Sequence, residues 1–401
     1  MIVAGEVSGD EHAAPVLAKL KALDPDLEFF GMGGSKLRAS GLEVVVDSES
    51  HASVMGLTEL FGSLRNIYAA FNKLLAAADQ RKPHLAILLD FPDFNLRLAD
   101  KLHRRGVKVL YYISPQVWAW RKGRVKHIGR VIDKVAAIFP FEEAFYARKG
   151  VNCEFVGHPF LEQQKLTLDR ESYLRSIGLD PELPVVALLP GSRKAELNNL
   201  LPPMLEAFSK LRAGRPGVQA LIPVAPTLSL SEVQQSLANY PGAVAVAGQA
   251  EAVLNCADAA VIASGTATIQ GALQGVPHLV VYKLSPFSYR MARLLVRGVE
   301  HFAMVNLVAG RKIVEELLQE EASADRISEE LERLLGDAKK RLQLKAQLSQ
   351  VCERLQVKGD EERGASDRVA QIALEMLNQG AGRKKQFVRS PAAERARRAA
   401  A

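Results

Sequence analysis

"LAILLDFPDFN", residues 85–95, is the stretch whose reading decides the fold. Its first five residues are apolar without a break, the pattern of a strand buried on both faces of a parallel sheet. The run then ends in two carboxylates, Asp90 and Asp93, around Phe91 and Pro92. An acid at the tip of a core strand is costly unless the tip opens onto a cleft. In open parallel sheets ligands sit beyond the carboxyl ends of the strands, where the strand order reverses. The residue that follows each such strand is therefore a candidate site residue.

Working outward, the first half alternates similar runs with helix-spaced segments. "MIVAGE" precedes "SGDEHAAPVLAKLKAL", where Ala13, Val16, Leu17, Leu20 and Leu23 recur at helical spacing and Ser8 and Glu11 have the spacing of a capping box. "LEFFGMGG", "LEVVV", "VKVLYYIS", "KVAAIF" and "CEFVG" complete the set. After the polar stretch 160–184 the pattern restarts with "VVALLP", "VQALIPV", "AVAVAG", "AAVIAS" and "HLVVY". The expectation is an α/β protein with two Rossmann-like parallel-sheet domains in series facing across a cleft. The boundaries fall at residues 1–163 and 164–340, with strands ending near residue 310. Helices at 341–378 are free to stay on the second domain or to pack back on the first, and 379–401 form a basic tail.

Composition narrows the class. At 401 residues, 48% hydrophobic and 24% charged, the chain has ordinary globular usage and length for more than one core. The cysteines, Cys153, Cys256 and Cys352, have no pairing or ligand spacing, which points to reduced thiols in a cytoplasm. No signal-like or membrane-spanning run is present. Most of the formal charge of +7 lies in the tail, where seven Lys and Arg residues between Arg383 and Arg398 face Glu394 alone. A solvated end is the simplest reading of that segment, and no nucleic-acid partner is expected.

Two strand tips in the second half favour anions. "AAVIASGTATIQGAL" runs from strand to helix through Ser264, Gly265, Thr266 and Thr268, small residues that let free N–H groups approach a phosphate. "VALLPGSRKAE" repeats the design with Gly191, Ser192 and Arg193, and an arginine can grip phosphate with two hydrogen bonds. The pair suggests a diphosphate. In the first half "AGEVSGD" brings Gly5, Glu6 and Ser8 after the first strand, without the spacing of a dinucleotide loop or a P-loop. "YYISPQVWAWRKGR" holds Trp118 and Trp120 beside Ser114, Gln116 and Arg121, and "FVGHPF" places His158 at the domain junction. The tryptophans suit either sugar stacking or the core, and a lone histidine is more often structural. Histidine and acid spacings give no metal site, and no cofactor is expected.

"GEVSGD", "DFPDFN", "YYISPQVWAWR", "LLPGSRKAE", "ASGTATIQ" and "NLVAGRKIVEELLQEE" occur in order over residues 1–378. Together they resemble the bacterial lipid-A-disaccharide synthases, inverting, metal-independent glycosyltransferases of the GT-B fold. The resemblance implies transfer from UDP-2,3-diacylglucosamine to the 6-hydroxyl of 2,3-diacylglucosamine 1-phosphate, giving a β-1,6-linked disaccharide and UDP. It implies Asp90 as general base with Asp93 or Glu6 as the alternative, and Arg193 with the Gly265–Thr266 helix start at the leaving UDP. Asn306 and Gln319 enter as hydrogen-bonding residues of the UDP-sugar site. Gln270 stands where relatives commonly carry a ribose-binding Glu. Acceptor and acyl chains fall to Ser8, Asp93, Trp118 and the apolar stretch 54–75, with Met55 and Phe61. The chain is accordingly expected in the cytoplasm, in peripheral contact with the inner membrane, and the expectation leaves room for a homodimer. A UDP-N-acetylglucosamine epimerase shares the architecture, but the apolar 54–75 stretch and the specific strings argue against it.

Overall fold

The computed structural model describes residues 1–49, 60–118, 123–162, 168–283 and 301–381. Seven strands form the first sheet: β1 Ile2–Ala4, β2 Phe30–Gly33, β3 Glu43–Asp47, β4 Leu85–Leu89, β5 Lys108–Tyr112, β6 Lys134–Ala137 and β7 Cys153–Phe155. Six form the second: β8 Val185–Leu189, β9 Gln219–Val224, β10 Ala243–Ala247, β11 Ala259–Ala263, β12 His278–Tyr282 and β13 Glu316–Leu318. Every pairing is parallel. β4, β8 and β11 are buried along their whole length, because helices cover both faces.

The strand orders are β3-β2-β1-β4-β5-β6-β7 and β10-β9-β8-β11-β12-β13. In each sheet the order runs backward to the first strand and then jumps forward. The switch point lies between β1 and β4 in one sheet and between β8 and β11 in the other. At the first, Ala4 pairs with Leu89; at the second, Ile262 pairs with Leu189.

Two sequence expectations fail locally. "EELLQEE" has helical composition, yet Glu316–Leu318 is a strand on the edge of the second sheet, paired with β12, followed by a 3-10 turn at Gln319–Glu321. Three residues gain more from an open sheet edge than helix propensity offers. Ser8 does not cap the first helix, which spans Val7–Leu23 with Glu6 at its N-cap, so the Ser8–Glu11 box is not formed. The acid that matters there is Asp10, 3% exposed. It accepts N–H bonds from Gly34 (2.7 Å), Lys36 (2.9 Å) and Leu37 (3.2 Å) and so ties the first helix to the short helix Ser35–Ala39.

The C-terminal helices divide between the sheets. Ala324–Gly336 lies along Lys194–Gly214, and Ala338–Arg354 lies against Ala267–Leu273 and Met304–Ala309, where Arg354 binds the carbonyls of Val308 (3.0 Å) and Ala309 (2.7 Å). Ala365–Ala381 crosses back onto Val7–Leu23, tied by Lys19–Asp367 at 2.7 Å and by Lys108 Nζ donating to the Met376 carbonyl at 3.0 Å. The chain thus passes between the sheets twice. The two crossings touch, since His158 N–H donates to the Leu355 carbonyl at 3.0 Å and Ser366 N–H to Glu162 at 2.6 Å.

Candidate active site

The four motifs singled out as strand tips fall in pairs at the two switch points. Gly5 and Glu6 follow β1, and Asp90 follows its partner β4. Gly191, Ser192 and Arg193 follow β8, and Ser264, Gly265 and Thr266 follow its partner β11. These are the positions where a doubly wound sheet opens a crevice.

The β4 tip is an unusual piece of backbone. Asp90 and Phe91 are consecutive residues with left-handed φ of 46° and 44°. Such strain persists only where the surroundings hold it, and it clusters at functional sites. Here the clamp is visible. Asn95, fully buried, donates to the carbonyls of Leu89 and Asp90, both at 2.8 Å, and the Tyr111 hydroxyl donates to the Asp90 carbonyl at 2.6 Å. Phe91 stacks on Phe94 with ring centroids 5.0 Å apart, and its ring covers Gly5, where a Cβ would come within 2.4 Å of it. Gly5 is thus required by the neighbouring tip. Asn95 and Tyr111 were missed in the sequence; the only signal was their place in the strings "DFPDFN" and "YYISPQ".

Asp93 does not cap the helix that follows. Phe91 is the N-cap of Pro92–His103, and Asp93, in the first turn, pairs with Arg124. Asp90 and Asp93, three residues apart in sequence, therefore have different partners.

Across the cleft, Gly191 has φ 111° and begins a tight turn into the long helix Lys194–Gly214. Thr227 donates to the Ser192 carbonyl at 2.6 Å. Glu196 Oε2 accepts the Ser192 and Arg193 N–H groups at 3.0 and 3.2 Å, while its Oε1 accepts from Arg193 Nη1 at 3.0 Å. At the second tip the Thr268 hydroxyl is turned back onto the Gly265 carbonyl at 2.8 Å, and Ser264 donates to the Phe302 carbonyl at 3.0 Å. Gln270 is half-buried one turn into the same helix.

Asn306 is fully buried and its side chain is spent on the fold. Its Nδ2 donates to the Val314 carbonyl (3.0 Å) and to Glu316 (2.6 Å), and its Oδ1 accepts from Ile313 (2.7 Å) and Val314 (3.0 Å). Glu316 in turn accepts the N–H groups of Phe302 (2.9 Å) and Ala303 (3.2 Å). Asn306 therefore sets the segment that Ser264 holds from the other side. Gln319 is buried with φ 54°, directly after β13.

Electrostatics join the two sides. Burial raises the Asp90 carboxyl above the usual aspartate range, against the Phe91 N–H and the positive charge of Arg193, which both lower it. Glu6 is also raised, first by burial and then by the negative charge of Asp90, again opposed by Arg193. One guanidinium from the second sheet thus acts on two carboxylates of the first. The Asp90 charge opposes ionisation of Glu6, so the two carboxyls are electrostatically linked.

The remaining candidates lie elsewhere or are committed. Trp118 packs edge-on to Phe141, centroids 4.9 Å apart, and its indole N–H donates to buried Glu142 at 3.1 Å. His158 is buried, accepts the Phe160 N–H at 3.2 Å, and is held neutral by burial, with a pKa lowered to about 3. Ser8 is exposed on the first turn of its helix. Met55, Trp120 and Arg121 lie outside the described residues; Phe61 falls in the helix Leu60–Arg81.

Glu142 gives a pH signature. Burial raises its carboxyl to about 7, above the ordinary value of 4.5, so folding favours the protonated form. Its contribution to stability is full below pH 4.5 and declines as the pH rises toward 7. With Trp120→Phe leaving Trp118 as the single indole, fluorescence should titrate with a midpoint near 7. Adding Glu142→Gln should flatten that curve; an unchanged curve would mean another group is being read.

The family model described as lipid-A-disaccharide synthetase matches residues 1–373. The chain belongs to the lipid-A-disaccharide synthase family. The lipid-A-disaccharide synthase of Geobacter sulfurreducens is 45% identical over 378 residues, covering 94% of this chain and 97% of that one. Its counterpart from Anaeromyxobacter dehalogenans is 48% identical over 339 residues, covering 84% and 88%. Among solved structures, UDP-GlcNAc 2-epimerase from Neisseria meningitidis bound to UDP-GlcNAc superposes with a TM-score of 0.62 at 12% identity, over 94% of this chain and 99% of that one. The glycotransferase of kitacinnamycin gives 0.59 at 14%, over 94% and 98%. These distant likenesses carry the fold alone: two Rossmann-like domains in the GT-B arrangement. This member of the lipid-A-disaccharide synthase family is a glycosyltransferase that makes the lipid A disaccharide from a UDP-sugar donor and a sugar acceptor.

Proposed function

We propose that Asp90 is the general base of this transfer and that Arg193 and the two second-sheet tips hold the donor diphosphate. UDP-2,3-diacylglucosamine would lie with its diphosphate between the Gly191–Arg193 turn and the Ser264–Thr266 helix start. The 6-hydroxyl of 2,3-diacylglucosamine 1-phosphate attacks the anomeric carbon from the face opposite UDP. As the new C–O bond forms, its proton passes to Asp90, the anomeric C–O bond to the diphosphate breaks, and UDP leaves with the electron pair. Inversion gives the β-1,6 linkage. Arg193 and the helix N-terminus stabilise the charge growing on the leaving group. Glu6, beside the base, orients the acceptor. In this reading Asn306 is a positioning residue, and Gln270 faces the ribose.

The observation that supports this reading best is the pairing of the polar tips at the two switch points, Glu6 with Asp90 after β1 and β4 and Arg193 with Gly265 after β8 and β11. On this reading residues 1–163 bind the acceptor and 164–340 the donor, as the motif placement suggests. UDP release from acylated UDP-glucosamine, measured with and without diacylglucosamine 1-phosphate and with EDTA present, is the test. Release should require the acceptor and survive the chelator. Release without acceptor would identify a hydrolase, and loss in EDTA would require a metal.

Membrane contact belongs to the same proposal. Among the described residues no helix is long and apolar enough to cross a bilayer. The helix Leu60–Arg81 buries Ala70, Leu74 and Ala77, yet leaves Tyr68 68% exposed. Such a side chain next to an apolar segment suits shallow insertion from the cytoplasmic side of the inner membrane. Tyr68→Ser should reduce co-flotation with anionic vesicles without changing the melting temperature. Undiminished flotation would move the docking face elsewhere.

A further inference from the structure

The three donors that a diphosphate oxygen would use at the first second-sheet tip are all engaged by one side chain of this chain. Glu196 takes the Ser192 and Arg193 N–H groups with one oxygen and the Arg193 guanidinium with the other. A carboxylate is the anion most like a phosphate edge that a protein can supply, and Glu196 engages the donors proposed for the phosphate. Gly191 makes room for it: a Cβ there would come within 2.3 Å of the carboxylate.

We infer that Glu196 is an internal stand-in for the donor diphosphate, one that holds the turn and Arg193 in register while the site is empty and must yield them when UDP binds. This rests on the proposed donor site.

Two observations make the exchange feasible. The Arg193 side chain is 76% exposed and that of Glu196 28%, so water screens the pair and its separation costs little. Tyr282 at the end of β12, its phenol raised by burial, also feels the pair, since the charge of Glu196 raises it further and Arg193 lowers it. The exchange therefore takes place at the mouth of the second sheet, where a leaving nucleotide would depart. A negative group that recaptures Arg193 as UDP moves away would speed product release and weaken product inhibition.

The test compares UDP binding by calorimetry in the wild type, Glu196→Gln and Arg193→Ala. Glutamine suits this helix position, since it also completes capping boxes, so the fold and the turn are retained and the charge alone is removed. Glu196→Gln should bind UDP about threefold more tightly, the value of one screened ion pair no longer surrendered, with deeper product inhibition. A purely scaffolding glutamate would give equal or weaker UDP binding in the variant, and that result would overturn the inference. Arg193→Ala separates this from the donor-site reading. If it weakens UDP binding while Glu196→Gln fails to tighten it, only the stand-in role is lost. If it leaves UDP binding unchanged, the donor site itself is misplaced.

Discussion

Asp90→Asn is expected to lower kcat by about 10²–10⁴-fold, the usual worth of a positioned base, with the donor KM and the melting temperature near wild type. Asparagine is the right probe. It has the shape of aspartate, it can still accept the Phe91 N–H, and it tolerates the left-handed φ of 46°. The Asn95 and Tyr111 clamp on the Asp90 carbonyl is untouched. Any loss is therefore a loss of proton acceptance. The pH profile supplies an independent reading. Because burial raises the Asp90 carboxyl, kcat/KM should climb with pH through a limb displaced above the ordinary aspartate value of 3.8. That limb should disappear in Asp90→Asn. Near-normal turnover in the variant would assign the base to Glu6, whose carboxyl is raised further by the Asp90 charge itself.

Arg193→Ala is expected to cost about 10²–10³-fold in kcat, comparable to removing one preorganised donor from a developing oxyanion. The side chain is 76% exposed, so folding should be unaffected. Arg193→Lys should restore only part of the rate, because an ammonium lacks the two-pronged geometry of guanidinium. The charge of Arg193 also favours ionised Asp90, so its removal should move the acidic limb of the pH profile upward. A variant whose defect lay only in acceptor KM would place Arg193 outside the leaving-group site.

Much of the architecture was legible in the chain. Continuous apolar runs such as 85–89 and 185–189 are strands buried on both faces, and their alternation with helices leaves few alternatives to parallel sheets. Asp90, Glu6 and Arg193 stand out in the chain because a polar residue after a buried strand has few structural excuses, and the fold sets them at the switch points. The errors were short-range. "EELL" has helical propensity, and only the presence of β12 beside it makes Glu316–Leu318 a strand. Ser8 and Asp93 have capping chemistry, but the caps fall at Glu6 and Phe91, because the strand tips fix where each helix begins.

The sequence by itself determined the fold class, the family and the list of polar strand tips, because burial periodicity and residue type are local properties. Tertiary structure alone decided which tips meet. Strand order sets β1 beside β4 and β8 beside β11, bringing together residues 84 positions apart in one sheet and about as far apart in the other. It also decided which polar side chains are already engaged within the fold. Asn306 enters through the family resemblance as a residue of the UDP-sugar site, and its amide is engaged by backbone and by Glu316. Glu196, three residues after Arg193, engages the donors proposed for a phosphate. Hydrogen-bond saturation depends on which groups the fold brings within 3 Å, and no sequence pattern carries that information.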